Sequence, residues 1–224
     1  MVGEKYIGGP PPGGRAPGTL SDTALGGKRP LAEGILPMNS KTSAQAQALE
    51  LLCRAVPECA PDPEVLADFV EFARTQPDCC ERTLAQGHFT GSAWLVSADR
   101  QRVLLTHHRK LGRWLQLGGH ADGNGDLADV ALREAEEESG LAGLRGEAGV
   151  FDLDRHLIPA RKNEPEHWHY DVRFVVHAGS NEDFIVGPES HDLAWRVISE
   201  LVDDEHADES VRRMANKWLL RRGR

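Results

Sequence analysis

The hydrophobic positions of this chain follow two different periods, and the change comes near Gly87. Before it, apolar residues from about Thr42 to Ala55 recur at helical spacing, and Asp62 followed by Pro63 is typical of the start of a second helix. We therefore predict a small N-terminal helical segment over 38–86. This segment either caps one side of the core, shapes a substrate pocket or mediates a homodimer, and the pattern alone does not separate these alternatives.

After Gly87, runs of β-branched, aromatic and aliphatic residues predict strands. The predicted strands cover 88–97 and 102–108, paired as a hairpin, and then 113–120, 149–159, 167–178 and 192–199. One helix is predicted over 126–139, and an amphipathic C-terminal helix over 208–220. Strands in runs with interspersed helices predict an α/β (α+β) sandwich over 87–224 rather than a regular doubly wound sheet.

The first 37 residues differ from the rest in composition, since they contain nine Gly and six Pro. They have too few large apolar residues to offset the entropy of ordering them. We therefore predict a disordered leader over 1–37, and we hypothesise that the functional chain starts near Met38. The leader also lacks the apolar core of a secretory signal.

Composition and charge exclude two classes of function. No apolar run approaches the ~18 residues of a membrane-spanning helix, so we expect a soluble protein without a membrane partner. The net charge of −9 argues against a general nucleic-acid binder, and an anionic substrate would need local cations. The four cysteines contain no C-x-x-C pair, which favours reduced thiols in a cytoplasmic protein.

The stretch "REAEEESGL" crowds carboxylates on the predicted central helix. Glu134, Glu137 and Glu138 are spaced i, i+3, i+4, so their side chains converge, and like charges at this spacing repel each other. A glycine-rich loop precedes the helix and Gly140 is placed to end it. Converging carboxylates and glycine carbonyls form an all-oxygen site that suits Mg²⁺ or Mn²⁺, and the simpler alternative is a solvated helix face.

The segment from Gly119 to Leu141 resembles the Nudix box, G-x5-E-x7-R-E-U-x-E-E-x-G-U, where U is a bulky apolar residue. Seven positions of fixed type are in register: Gly119, Arg133, Glu134, Glu137, Glu138, Gly140 and Leu141. Two positions depart from the pattern, because Gly125 stands where the first glutamate is expected and Ala135 is smaller than the usual aliphatic residue. Asp122 and Asp126 are candidate replacements for the missing carboxylate.

The resemblance implies a Nudix-type α/β/α sandwich with a mixed sheet. It also implies Mg²⁺-dependent hydrolysis of the pyrophosphate bond in a small molecule of the nucleoside diphosphate-X type. The residues implied to be ligands of the ion are Glu134, Glu137, Glu138 and, through its carbonyl, Gly118. Arg133 is implied to orient the glutamates, and Glu189 is a candidate general base. The alternative is a catalytically weak Nudix-fold module that binds a nucleotide sugar or ADP-ribose, which the loss of glutamate at Gly125 favours.

Several further residues are candidates for substrate contacts. His107, Arg109 and Lys110 end a strand before the glycine loop and, with His120, would supply positive charge to the phosphates, unless they only form a solvated turn. His167 and His169 share one face of a strand, where they would line the pocket, bind a transition metal or simply pack. The identity of the diphosphate, the number of ions, the general base and the oligomeric state stay open.

Overall fold

The computed structural model describes residues 43–54, 62–108, 112–161, 164–186 and 190–222. All of them belong to one unit, Lys41–Arg224. The predicted leader over 1–37 and the start near Met38 lie outside the described residues. So do three of the predicted site residues, Arg109, Lys110 and Glu189.

Two helices come first, as predicted, and their caps explain where they begin. Helix α1 spans Ala44–Cys53 and helix α2 spans Pro63–Thr75. The Asp62 side chain accepts a hydrogen bond of 2.9 Å from the backbone N–H of Glu64, which satisfies one of the free donors of the first turn. Phe72 of α2 stacks on Tyr170, with ring centroids 3.8 Å apart, so the helix covers one face of the sheet.

The described strands form one mixed sheet. They are β1 (Gly87–Val96), β2 (Arg102–His108), β3 (Arg113–Leu115), β4 (Leu117–His120), β5 (Arg145–Ile158), β6 (His167–His177) and β7 (Ser190–Val197). The strand order is β3-β2-β1-β6-β5, with β4 paired to β1 and β7 paired to β2. β1 and β6 are parallel, and the other described pairs are antiparallel.

Two predictions about strands need correction. The predicted hairpin of β1 and β2 opens beyond its turn, because β1 pairs with β4 along Thr90–Ala93 while β2 pairs with β7 along most of its length. The predicted single strand over 113–120 is two strands that are interrupted at Gln116. The interruption lets β3 pair with β2 and β4 pair with β1, so the glycines of β4 reach the centre of the sheet.

Helices cover both faces of this sheet. Helix α3 (Leu127–Ser139) packs on the face that α1 and α2 also cover, where Leu127 is buried in the same cluster as Phe89 of β1. A short helix α4 (Ile198–Leu201) and the C-terminal helix α5 (Glu209–Arg222) cover the other face, where Met214 packs with Trp94. The expected three-layer α/β/α arrangement is therefore confirmed.

Among the described parts of the chain, no helix combines the length and the apolar character needed to cross a bilayer.

Candidate active site

The central helix α3 begins and ends at the residues that the sequence indicates. The Asp126 side chain accepts a hydrogen bond of 3.1 Å from the backbone N–H of Asp129, which caps the first turn. Gly140 follows the helix with φ 68°, a left-handed conformation that glycine adopts without steric cost. These two ends fix which side chains of α3 face β4.

Two glutamates of α3 lie against the two consecutive glycines of β4, Gly118 and Gly119. A Cβ atom at position 119 would lie 2.4 Å from the carboxyl carbon of Glu134, so only glycine leaves room for this carboxylate. The backbone N–H of Gly118 donates a hydrogen bond of 3.2 Å to Glu138. The structure therefore brings Gly118, Glu134 and Glu138 together.

Arg133 connects the third glutamate to this group. Its Nη1 lies 2.9 Å from Glu134 Oε1 and 3.2 Å from Glu137 Oε2, and its Nη2 lies 3.5 Å from the carbonyl oxygen of His120. Glu134 is mostly buried, while the Glu137 side chain is 60% exposed. One guanidinium thus holds two carboxylates and the β4 backbone, and leaves Glu137 accessible to a ligand from solvent.

The oxygen atoms that lie between α3 and β4 suit a hard divalent cation. Three carboxylates, from Glu134, Glu137 and Glu138, lie on one side of α3, and Gly118 of β4 is joined to Glu138 through its backbone N–H. Oxygen donors of this kind are preferred by Mg²⁺ and Mn²⁺. A divalent ion would add its positive charge to that of Arg133 and so would reduce the mutual repulsion of the carboxylates.

Gly125, the departure from the box pattern, is explained by packing. It is buried, and a Cβ atom there would lie 2.1 Å from the carbonyl oxygen of Ala44 at the start of α1. The first turn of α1 therefore occupies the space that a side chain at position 125 would need. The candidate replacements have other partners: Asp122 forms an ion pair with Arg82, whose hydrogen bond lowers the pKa of Asp122, and Asp126 caps α3.

The predicted substrate residues fall in two places. His107 lies on β2, paired with Trp114 of β3 and Asp192 of β7, and its ring centroid is 5.2 Å from that of Trp114. His120 ends β4 directly after Gly119, and its ring centroid is 5.0 Å from that of His88. The carbonyl oxygen of His120 is in contact with Arg133.

His88 lies beside two histidines of β6 that the sequence places on one strand face, His167 and His169. It joins them because β1 and β6 are parallel, in a register that pairs His88 with His169. That pairing is separated by 81 positions along the chain, and no local pattern indicates it. Asp171, which continues the same face, instead accepts hydrogen bonds from Thr90 and Ser92 of β1.

Comparison with known proteins identifies one family. The model of the NUDIX domain matches residues 88–217. A comparison with curated proteins gave no match.

Solved structures of similar fold were also found. A NUDIX-family hydrolase from Clostridium perfringens is 23% identical, with 59% of this chain and 97% of that chain covered and a TM-score of 0.46. A MutT NUDIX hydrolase from Burkholderia pseudomallei is 25% identical, with 59% and 98% covered and a TM-score of 0.46. The binary complex of a C. elegans Ap4A hydrolase is 13% identical, with 60% and 97% covered and a TM-score of 0.48. At these TM-scores the similarities add nothing to the family match.

Proposed function

Because the chain belongs to the Nudix hydrolase family, we propose that it cleaves the pyrophosphate bond of a nucleoside diphosphate-X substrate in a Mg²⁺-dependent reaction with water. Family membership makes it a Nudix pyrophosphohydrolase. The observation that supports this choice of site is the contact of Glu134 and Glu138 with the two glycines of β4.

Four groups would hold Mg²⁺ or Mn²⁺: the carboxylates of Glu134, Glu137 and Glu138 and the carbonyl of Gly118. When bound, the ion neutralises phosphate charge and lowers the pKa of a coordinated water. Arg133 keeps Glu134 and Glu137 aligned through its two ion pairs.

Residues around this group complete the proposal. Glu189 is our candidate base, and His107, Arg109, Lys110 and His120 are our candidates for phosphate contacts. A small-molecule diphosphate as the partner, a cytoplasmic location and a homodimer likewise remain predictions.

The first experiment removes the metal-binding charge. A Glu137→Gln, Glu138→Gln variant is expected to lose Mg²⁺ uptake in calorimetry and to lower turnover by on the order of 100-fold or more, because several kcal/mol of charge stabilisation depend on the ion. The substrates to screen are nucleoside diphosphate sugars, ADP-ribose, dinucleoside polyphosphates, NADH, coenzyme A and oxidised dNTPs. Glu136→Gln is the matched control, because Glu136 is exposed on the same helix. Full turnover by the double variant would refute the proposal.

The role of Arg133 is tested separately. Its ion pair with the exposed Glu137 contributes only a few tenths of a kcal/mol to stability. If Arg133 orients the glutamates, Arg133→Ala lowers kcat while the free energy of unfolding hardly changes, and Arg133→Lys restores part of the activity. Turnover near the wild-type value in Arg133→Ala would show that the arginine is only a surface residue.

The second candidate function is a catalytically weak Nudix-fold module that binds a nucleotide sugar or ADP-ribose. Gly125 in place of the first box glutamate is the observation that favours it. Metal-dependent hydrolysis of the pyrophosphate bond in any substrate of the panel would decide for the enzyme. Tight binding of ADP-ribose or a nucleotide sugar without hydrolysis would decide for the module.

Placing a glutamate at position 125, where the box pattern expects one, should not increase activity. Gly125→Glu forces a side chain against the Ala44 backbone, so we expect a loss of about 1–3 kcal/mol in the free energy of unfolding and no gain in turnover. Gly149→Glu is the control, because a Cβ atom at Gly149 meets nothing within 4 Å. A stable and more active Gly125→Glu variant would show that α1 does not limit this position.

A further inference from the structure

Three histidines converge on the face of the sheet opposite to α3. One ring nitrogen from each of His88, His167 and His169 lies within 4.8 Å of the others. His88 is paired with His169 across the parallel strands β1 and β6, and His167 lies two residues before His169 on the same face. The cluster is thus fixed by the register of two central strands rather than by a flexible loop.

His88 has no partner that would explain its burial. Its side chain is 1% exposed, and both ring nitrogens lack a hydrogen-bond partner among the residues that the structure describes. Buried polar side chains are nearly always hydrogen-bonded, because an unsatisfied donor or acceptor costs about 1–3 kcal/mol. A ligand that accepts the lone pair of one nitrogen would remove part of this cost.

The other two histidines are already arranged as ligands. The Nδ1 of His167 lies 2.9 Å from the carbonyl oxygen of Pro165, so Nδ1–H donates this hydrogen bond and Nε2 keeps its lone pair. That Nε2 faces Nε2 of His169 at 3.3 Å. Two nitrogens bound at ~2.0–2.1 Å to a tetrahedral Zn²⁺ lie about 3.4 Å apart, so this pair has the required spacing.

A fourth histidine lies beside these three. His120 borders the cluster, with its ring centroid 5.0 Å from that of His88 and 5.2 Å from that of His169.

We propose that His88, His167 and His169 bind a transition-metal ion of the Zn²⁺ type, at a site separate from the carboxylates of α3. Imidazole nitrogens favour Zn²⁺, Ni²⁺ or Cu²⁺, whereas the all-oxygen group favours Mg²⁺ or Mn²⁺. His120 or a water molecule completes the coordination on the remaining side. The two sites would lie on opposite faces of β4, where Gly119 faces Glu134 and His120 faces His88.

The test measures Zn²⁺ binding to the untagged full chain by calorimetry. The wild type is expected to bind one Zn²⁺, and the His167→Gln, His169→Gln variant is expected to bind it more than about 100-fold more weakly, since it loses two of three ligands. His206→Gln is the matched control, because His206 is exposed and outside the cluster. No Zn²⁺ uptake by the wild type, or unchanged uptake by the double variant, would overturn the proposal.

A spectroscopic measurement identifies the ligands independently of any variant. X-ray absorption of the zinc-loaded wild type is expected to show three or more nitrogen ligands and no sulfur, and substitution by Co²⁺ is expected to give the visible absorption of a four-coordinate ion. Sulfur in the coordination shell would assign the metal to cysteines of the chain and overturn the proposal. The Glu137→Gln, Glu138→Gln variant should keep Zn²⁺ binding unchanged, which separates this site from the proposed hydrolase site.

Discussion

One face of β1, β5 and β6 carries buried polar side chains, and the two ends of this face differ in whether these side chains have hydrogen-bond partners. At one end, Arg173 is buried and its Nε donates to Asp171 at 2.7 Å, and its Nη1 lies 3.5 Å from Asp152. At the other end, on the same strands, His88 is buried with no hydrogen-bond partner among the described residues. Arg173 and His88 are similarly buried, but of these two only Arg173 has hydrogen-bond partners among the described residues.

The aspartate–arginine end is closed by α5. Arg213 Nη2 lies 2.7 Å from both Asp152 and Asp154, and Lys217 Nζ lies 3.2 Å from Asp152. These contacts attach the C-terminal helix to the sheet. The buried charges of the aspartate–arginine end are therefore paired within the fold, whereas the buried nitrogens of His88 need a ligand as a partner. Variants at each end test this contrast.

Removing the central charge of the aspartate–arginine end should be the most damaging change. Arg173→Met leaves Asp171 buried without its counter-ion and removes one of the three cations that contact Asp152, so we expect a loss of about 3–5 kcal/mol in the free energy of unfolding. Urea denaturation followed by circular dichroism measures it. Arg74→Met, an exposed arginine of α2, is the control and should be nearly neutral. A loss below about 1 kcal/mol would mean that Arg173 is not required by the fold.

Asp171 stands between the two ends and gives a smaller effect. Asp171→Asn keeps the shape of the side chain but removes the negative charge of a carboxylate to which Arg173, Thr90 and Ser92 donate hydrogen bonds. We therefore expect a loss of about 1.5–3 kcal/mol in the free energy of unfolding. The same urea denaturation applies, with Asp203→Asn as an exposed control. An unchanged free energy of unfolding would show that the hydroxyls and Arg173 find other partners.

His88 should tolerate an apolar substitution in the metal-free protein. Leucine is of similar size and leaves no unsatisfied nitrogen, so His88→Leu should change the free energy of unfolding by less than about 1.5 kcal/mol in the presence of a chelator. The same variant should lose Zn²⁺ binding. A loss as large as that of Arg173→Met would give His88 a folding role and end the contrast between the two ends.

The smallest effect concerns Arg213 and is best seen as a function of pH. Burial raises the pKa of Asp154, but the hydrogen bond from His156 and the charges of Arg173 and Arg213 outweigh it and hold this pKa well below its usual range. The unfolded chain therefore takes up this proton first, and the stabilisation present above about pH 4 is lost as the pH falls further. Arg213 is 43% exposed, so we expect Arg213→Met to cost less than about 1 kcal/mol at pH 7.

Denaturation at a series of pH values checks this last prediction. The difference between the wild type and Arg213→Met should shrink below about pH 4 as Asp154 becomes protonated. Arg212→Met, at the neighbouring position of α5, is the control. A difference that stays constant with pH would mean that Arg213 acts through packing of its methylene chain.

Local signals in the sequence predicted the elements well. Asp62 and Asp126 cap helices, Gly140 ends α3, and the spacing of Glu134, Glu137 and Glu138 gave both the helix face and the family. Each of these features is decided by contacts within a few residues. The three-layer sandwich followed from the order of strands and helices, so the fold class was also within reach.

Features that depend on distant pairing were not predictable. The separation of β1 from β2 depends on the insertion of β4, and the burial of His88 depends on a parallel partner that lies 81 positions later in the chain. The collision at Gly125 involves Ala44 of another helix, and the sequence shows only that a glutamate is missing there. In each case the cause is a contact between segments whose relative position no local pattern fixes.

The contact between Gly125 and Ala44 also restricts how this protein can change over evolutionary time. Adding a carboxylate at this position first requires α1 to move, and moving α1 uncovers apolar surface before any benefit arises. Completing the motif therefore takes two coupled changes, a glutamate at position 125 and a displacement of the first turn of α1, and we expect neither change alone to raise turnover.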